Sequence, residues 1–184
     1  PPKRKDAVLL VAHSDTVWNN YIIKPQYDTD LKIIYSSNLN EKFIQKRRNN
    51  GCRTSDGVGI GADDRVGCYI LWKLRKLGHG LLITSGEEIG GISSNFISTN
   101  QALMQELNKH QFAIQFDRRG YNDIVFYNVG TNSFVDYVKE KTGYEPVRGS
   151  FTDIVTLCKT MCGVNISVGF YDEHSENERL SVNQ

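Results

Sequence analysis

No stretch of this 184-residue chain is apolar for long enough to span a bilayer, and no apolar leader opens it. That excludes a membrane partner read from the sequence. Charge of one sign is also missing. Twenty-two basic against 21 acidic residues leave a net charge of +1, so the footprint of a nucleic-acid binder is absent. Two short basic clusters, KRK at residues 3–5 and KRR at residues 46–48, read as a solvated terminus and a solvated loop. Cysteine is scarce: Cys52, Cys68, Cys158 and Cys162 form no CxxC pair and no zinc-finger spacing. Cys158 and Cys162 stand four apart in a predicted helix and read as buried thiols, which points to a reducing, cytoplasmic setting. Linkers rich in Pro, Gly or Ser, low-complexity tracts and internal repeats are lacking too, so residues 1–184 are read as one domain.

What is present is ordinarily globular, 39% hydrophobic and 23% charged, enough to bury one full core. The run at residues 7–12 (AVLLVA) is short and continuous, as in a strand buried on both faces. Residues 21–51 are polar with short β-prone pieces and read as a hairpin and loop excursion. DDRVGCYILWKLRKLG is a helix ending at Gly78, and GLLITS is the next strand. NQALMQELNKH is a helix, FAIQFD and DIVFYNV are strands, and TNSFVDYVKEKTG is a capped helix stopping at Gly143. A helix from Thr152 through TDIVTLCKTMCG and a strand VNISVGFY follow. Strands alternating with helices predict an α/β fold, a three-layer sandwich with a mostly parallel mixed sheet between helices.

The chemistry-bearing residues gather by location. His13 and Asp15 follow the first strand; Asp63 and Asp64 lie between a Gly-rich turn and a helix. Glu87 and Glu88 follow GLLITS, Asp117 ends FAIQFD, and His174 follows GFYDE. All fall at the edge where open α/β sheets bind ligands. Taken singly each is commonplace: a structural histidine, a helix cap, a solvated Glu-Glu turn. Together they put two imidazoles and several carboxylates on one edge, and buried charges of one sign must be paired or must coordinate metal. Two histidines with carboxylates suit Zn²⁺, with Co²⁺ or Mn²⁺ as alternatives. A carboxylate shared by two ions would hold them roughly 3.5–4 Å apart, as in two-metal hydrolases. His79 and His110 stand beside helix ends and read as surface or capping residues.

The motifs AHSDTV, GIGADDRVG, SGEEIGG, QFDRRG and GFYDEHSENE, in that order, resemble those of the co-catalytic zinc exopeptidases. This is the superfamily of peptidase T, glutamyl aminopeptidase and the bacterial leucyl aminopeptidases. The resemblance implies two Zn²⁺ per chain. His13 and Asp117 would be terminal ligands of one, Glu88 and His174 of the other, and Asp63 would bridge both, often with a cis peptide bond after it. It implies that Asp15 accepts a hydrogen bond from His13 and orients it. Glu87 would be the catalytic base, passing a proton from water to the leaving amine. RGSFTDI resembles a small-residue loop of the family, which puts Ser150, Thr152 and Asp153 along the substrate site. Arg118 and Arg119 either bind a substrate carboxylate or form surface ion pairs.

Departures are informative. Only 56 residues separate Asp117 from His174, too few for the lid and dimerisation domain of peptidase T-like members. The interval from Asp15 to Asp63 is too short for the insert of the large tetrahedral aminopeptidases. The sequence stops ten residues after His174, where relatives usually continue. A minimal catalytic domain, natural or truncated at its C-terminus, is the expectation. The implied activity is aminopeptidase cleavage of short peptides. The alternatives are deacylation of N-acyl amino acids by the same metals and a metal-free scaffold of the same fold. The expected partner is a short peptide or amide substrate, with self-association into a homo-oligomer compatible.

Overall fold

The structure is a computed structural model that describes residues 7–18, 24–36 and 59–182. The basic clusters at 3–5 and 46–48, Cys52 and most of the 21–51 excursion lie outside the described residues. Strand β1 (Leu9–His13) is buried along its whole length. It is the second strand of a six-stranded sheet of order β4-β1-β5-β8-β6-β7. The others are β4 (Gly80–Thr84), β5 (Phe112–Arg118), β6 (Asp123–Val125), β7 (Glu145–Pro146) and β8 (Cys162–Ser167). All neighbours are parallel except β6 and β8, so the sheet is mixed and mostly parallel.

Helices cover both faces, which is why β1 reads as an unbroken apolar run. On one face Leu10 and Ala12 pack against Leu71 of α1 (Ala62–Leu74). Alongside, Phe134 and Val138 of α4 (Asn132–Thr142) pack on Ile124 and Val164. On the other face Leu9, Val11 and Ala113 meet α2 (Ile92–Thr99), α3 (Gln101–Leu107) and α5 (Asp153–Leu157) through Ile97, Leu107, Ile154 and Leu157. The caps follow the sequence: Thr131 accepts from Phe134 N–H, Asn100 from Leu103 N–H, and Gly143 takes the left-handed conformation.

A second sheet of four antiparallel strands has order β2-β3-β10-β9, from β2 (Pro25–Asp28), β3 (Ile33–Ser36), β9 (Phe170–Tyr171) and β10 (Arg179–Ser181). Its Ile34, Phe170 and Leu180 pack on Ile60, Ala62 and Val66, tying it to the start of α1. Among the described residues no helix is long and apolar enough to cross a membrane.

Two expectations are corrected and one helix is new. The helix at Thr152 covers only Asp153–Leu157, and Cys162 opens β8, so Cys158 and Cys162 share no helix; both are free thiols, Cys158 buried and Cys162 partly so. DIVFYNV is a strand only over its first three residues, because Tyr127 and Asn128 turn the chain at positive φ. Helix α2 was not expected, since its sequence ISSNFIST leaves Ile92 and Phe96 exposed and shows no capping signature.

Leu157 is fully buried between α5 and the sheet. Leu157→Ala is expected to lower the unfolding free energy by about 2–5 kcal/mol, read from urea denaturation. A loss below about 1 kcal/mol would contradict this placement of the core.

Candidate metal centre

The ends of β1, β4 and β5 form one edge, and the loop after β9 folds over it. At the end of β1, the Ser14 N–H and hydroxyl both donate to the Thr84 carbonyl at 2.9 Å, fastening the two loops together. His13 is buried, and its Nδ1–H donates to the Asp15 carbonyl at 2.9 Å. A carbonyl only accepts, so the proton sits on Nδ1 and Nε2 is left as a donor atom for a cation. Nε2 lies 3.1 Å from Asp63 Oδ1 and 3.5 Å from Asp117 Oδ1.

On the other side, His174 Nε2 lies 3.1 Å from Asp63 Oδ2 and 2.9 Å from Glu88 Oε2. His174 has φ 58, a left-handed conformation that costs a non-glycine residue roughly 1–2 kcal/mol. Asp63 thus turns one carboxylate oxygen to each histidine. Donor atoms of His13, Asp63 and Glu88 all lie within 4.8 Å of one another. The expected cis peptide follows Asp63, between it and Asp64.

Each carboxylate is aimed by its neighbours. Asp117 lies where the β5–β8 register shifts, between Gln115 and Arg118, and such irregularities re-aim side chains. Asn165 there replaces ladder bonds, accepting Asp117 N–H and donating to Asp117 O. The Thr152 hydroxyl (2.6 Å) and Gln115 Nε2 (3.2 Å) both donate to Asp117 Oδ2, leaving Oδ1 to face His13. Asp64 also lies close to His13 and Asp117. Both its oxygens, however, accept backbone N–H groups, from His13 (3.1 Å) and Gly67 (3.0 Å), so it ties the first turn of α1 to the end of β1.

Asp15 departs from the expected role in one respect. Its carbonyl orients His13, while its carboxylate accepts the N–H groups of Glu87 (3.3 Å) and Glu88 (3.2 Å). Thr152 and Asp153 do not line the cleft either. Both are fully buried behind it, Thr152 on Asp117 and Asp153 accepting from Thr84. The cleft itself, about 330 Å³, is lined by Asp63, Glu87, Glu88, Asp117 and His174 with Ser150, Arg118 and Arg119. Arg118 lies 3.7 Å from Asp123 and Arg119 2.8 Å from Glu173, so both are ion-paired and at the cleft together. His110 caps α3 through the Leu107 carbonyl. Sequence reading missed Glu178, whose buried carboxylate accepts from three donors; nothing in its own neighbourhood distinguishes it from a surface glutamate.

The residues fit a cation. Burial, with the Asp117 charge adding to it, pushes Glu87 up to about 8. Asp117 is raised by burial and by the Asp63 charge, although its His13 contact opposes this. Complete burial holds Asp64 well above the usual carboxylate range. Burial favours a neutral His13, yet Asp117 and Asp63 push the ring well above its ordinary value. Hydrogen bonds to Asp63 and Glu88 lift His174 to about 10. Burial likewise acts to raise Asp63, but His13 and His174 overcome it and hold Asp63 below its usual range. Protons are thus retained where carboxylates crowd, and a divalent cation would displace them.

The sign of the pH dependence follows. Glu87 (ordinarily 4.5) and His174 (ordinarily 6.5) hold more protons folded than unfolded between about pH 6 and pH 9, so metal-free stability falls as pH rises through that window. Zinc would replace the proton on His174, and its charge would disfavour the one on Glu87, so the zinc-induced rise in Tm is expected to be larger at about pH 8 than at about pH 6. Thermal melts of chelated and zinc-treated protein at both values check this. An equal or smaller zinc effect at the higher pH would contradict the assignment.

The sequence matches no protein-family model and no curated protein. Solved structures do match the fold. The aminopeptidase PepT of Bacillus cereus is 15% identical with a TM-score of 0.63, over 99% of this chain and 78% of that one. A tripeptidase of Staphylococcus aureus is 15% identical with a TM-score of 0.65, over 95% and 76%. The TET1 peptidase of Pyrococcus horikoshii is 16% identical with a TM-score of 0.54, over 97% and 80%. At these identities the likeness is one of architecture: the chain has the α/β fold seen in these peptidases.

Proposed function

We propose that this chain is a two-metal hydrolase, an aminopeptidase acting on short peptides with two Zn²⁺. The observation that carries the proposal is Asp63, whose two oxygens face two separate histidine–carboxylate pairs. In this reading His13 and Asp117 hold one ion, His174 and Glu88 the other, and Asp63 both. Zinc bound there supplies Lewis acidity, polarising the scissile carbonyl and lowering the pKa of a water toward ~7.

The remaining chemistry belongs to the chain. Glu87 lines the cleft with no metal-ligand role and takes the proton from the attacking water. Its raised affinity for a proton suits a group that must then release it to the leaving amine. Asp15 holds the Glu87–Glu88 turn, so the base and the ligand stay in fixed relation. Thr152 aims Asp117, and Asp153 supports the end of β4 through Thr84. Arg118 and Arg119 are assigned the carboxylate end of the substrate, with Arg119 exchanging Glu173 for it, and Ser150 its backbone. Residues 1–184 act in this reading as one catalytic domain without a lid. Self-association is included, because the TET1 peptidase can assemble into a tetrahedron or a large octahedral shell.

Gently purified protein is expected to carry about two zinc ions per chain by elemental analysis. Glu87→Gln should retain the metal and lose turnover by about 10²–10⁴-fold, whereas Glu88→Gln should lose metal. Aminoacyl anilides tested against N-acyl amino acids separate peptidase from deacylase activity. Full activity in Glu87→Gln would sink the mechanism.

A further inference from the structure

Glu178 lies just before β10, outside the lining of the cleft, and it is fully buried. Its Oε2 accepts the Gly61 N–H at 2.6 Å and the Trp18 indole N–H at 3.2 Å, and its Oε1 accepts the Asp63 N–H at 3.0 Å. Three donors converge on a group that, when ionised, only accepts. The space round it is closed. A Cβ added at Gly59 would lie 2.6 Å from Glu178 Oε2, 2.6 Å from the Ser175 carbonyl and 2.5 Å from Trp18 Nε1.

A buried cap on an incoming helix would explain some of this. The identity of the bonded residues says more. One of the two backbone groups held by Glu178 belongs to Asp63, the residue whose carboxylate reaches both histidines. Glu178 also stands four residues after His174 in the same connection, with the Glu178 N–H closing a turn on the Ser175 carbonyl at 3.0 Å. One short segment therefore supplies His174 and grips the backbone of Asp63. The 3.1 Å approach of His174 to Asp63 Oδ2 is set across that grip.

We propose that Glu178 is a positioning residue for the shared carboxylate of Asp63, fixing the backbone from which Asp63 reaches both metal positions. The inference rests on the two-metal reading given above. Asp63 can satisfy both sides only if its plane is held against rotation. The local backbone does not do this by regular helical bonding, because Asp63 and Asp64 have non-helical φ and ψ at the start of α1. Glu178 supplies the missing anchor from outside the helix. In Glu178→Gln the amide nitrogen has no acceptor among these three donors, so at least one N–H loses its partner and the anchor loosens.

The test uses the full chain loaded with Co²⁺, with metal competition and the visible spectrum as readouts. Relative to wild type, folded Glu178→Gln is expected to bind metal about 10–100-fold more weakly and to show a shifted cobalt spectrum. Trp18→Phe removes one side-chain donor and keeps both backbone bonds, so its cobalt spectrum should match wild type. Should Glu178→Gln fail to fold, Glu178→Asp shortens the side chain by one methylene, draws the carboxylate back from the Asp63 N–H and is expected to shift the spectrum in its place. Wild-type affinity and spectrum in whichever of these two variants folds would overturn the inference. Wild-type protein that binds no metal would overturn the two-metal reading and this inference with it, whereas intact wild-type binding beside an unaffected variant would overturn the inference alone.

Discussion

The Asp63 carboxylate, held between two imidazoles, is the constraint on which the rest of this structure depends. Around it the chain gathers Glu87, Glu88 and Asp117 at the cleft and Asp64 directly behind. Burying like charges so close together is among the costlier things a fold can do. A core built only for stability would have removed them. The fold instead meets four of the five with dedicated partners: backbone N–H groups for Asp64, a hydroxyl and an amide for Asp117, imidazoles for Asp63 and Glu88. At Asp117 both donors fall on Oδ2, which orients the carboxylate and leaves Oδ1 toward His13. Such an arrangement could hold a cation, and it gathers the buried polarity at one edge of the sheet.

Topology explains why these groups can meet at all. Strands β4, β1 and β5 are parallel neighbours, so their C-terminal ends present three successive loops side by side. His13, the Glu87–Glu88 turn and Asp117 come from those three ends. The fourth contributor, His174, comes from the loop after β9 of the other sheet, which is fastened to the start of α1 through Ile60, Ala62 and Phe170. The small antiparallel sheet is thus part of the site's architecture: its attachment to the start of α1 helps to hold His174 against Asp63.

The elements legible in the sequence were those with uninterrupted or strongly periodic apolar patterns. Strand β1 is buried on both faces, α4 is capped at both ends, and their residues could be read directly. Helix α2 was hidden because Ile92 and Phe96 stay exposed, so its pattern is set by tertiary placement rather than amphipathic burial. Cys162 was read as helical because nothing local marks the end of α5 at Leu157; the break is made by the pairing of β8 with β5. At the site, the residues that would touch a cation were visible as a set on one edge. Those that aim them were not. Glu178 and Asn165 act through contacts 48 or more residues away in sequence, and such partnerships leave no local signature.

The Glu87–Glu88 doublet shows how tertiary contacts resolve a local conflict. Adjacent glutamates at a strand end repel, and side-chain chemistry alone offers no reason to keep both. The resolution lies in the backbone: Gly86 turns at φ 77, and the two following N–H groups both point to the Asp15 carboxylate. With both amides held on one side, the side chains are free to diverge. Glu88 pairs with His174, while Glu87 stays in the cleft at a proton affinity raised by burial and by Asp117. Asp15 also orients His13 through its carbonyl, so one residue fixes a candidate ligand with its main chain and a candidate base with its side chain. The two side chains differ because their environments differ: Glu88 meets an imidazole, whereas Glu87 meets burial and the charge of Asp117.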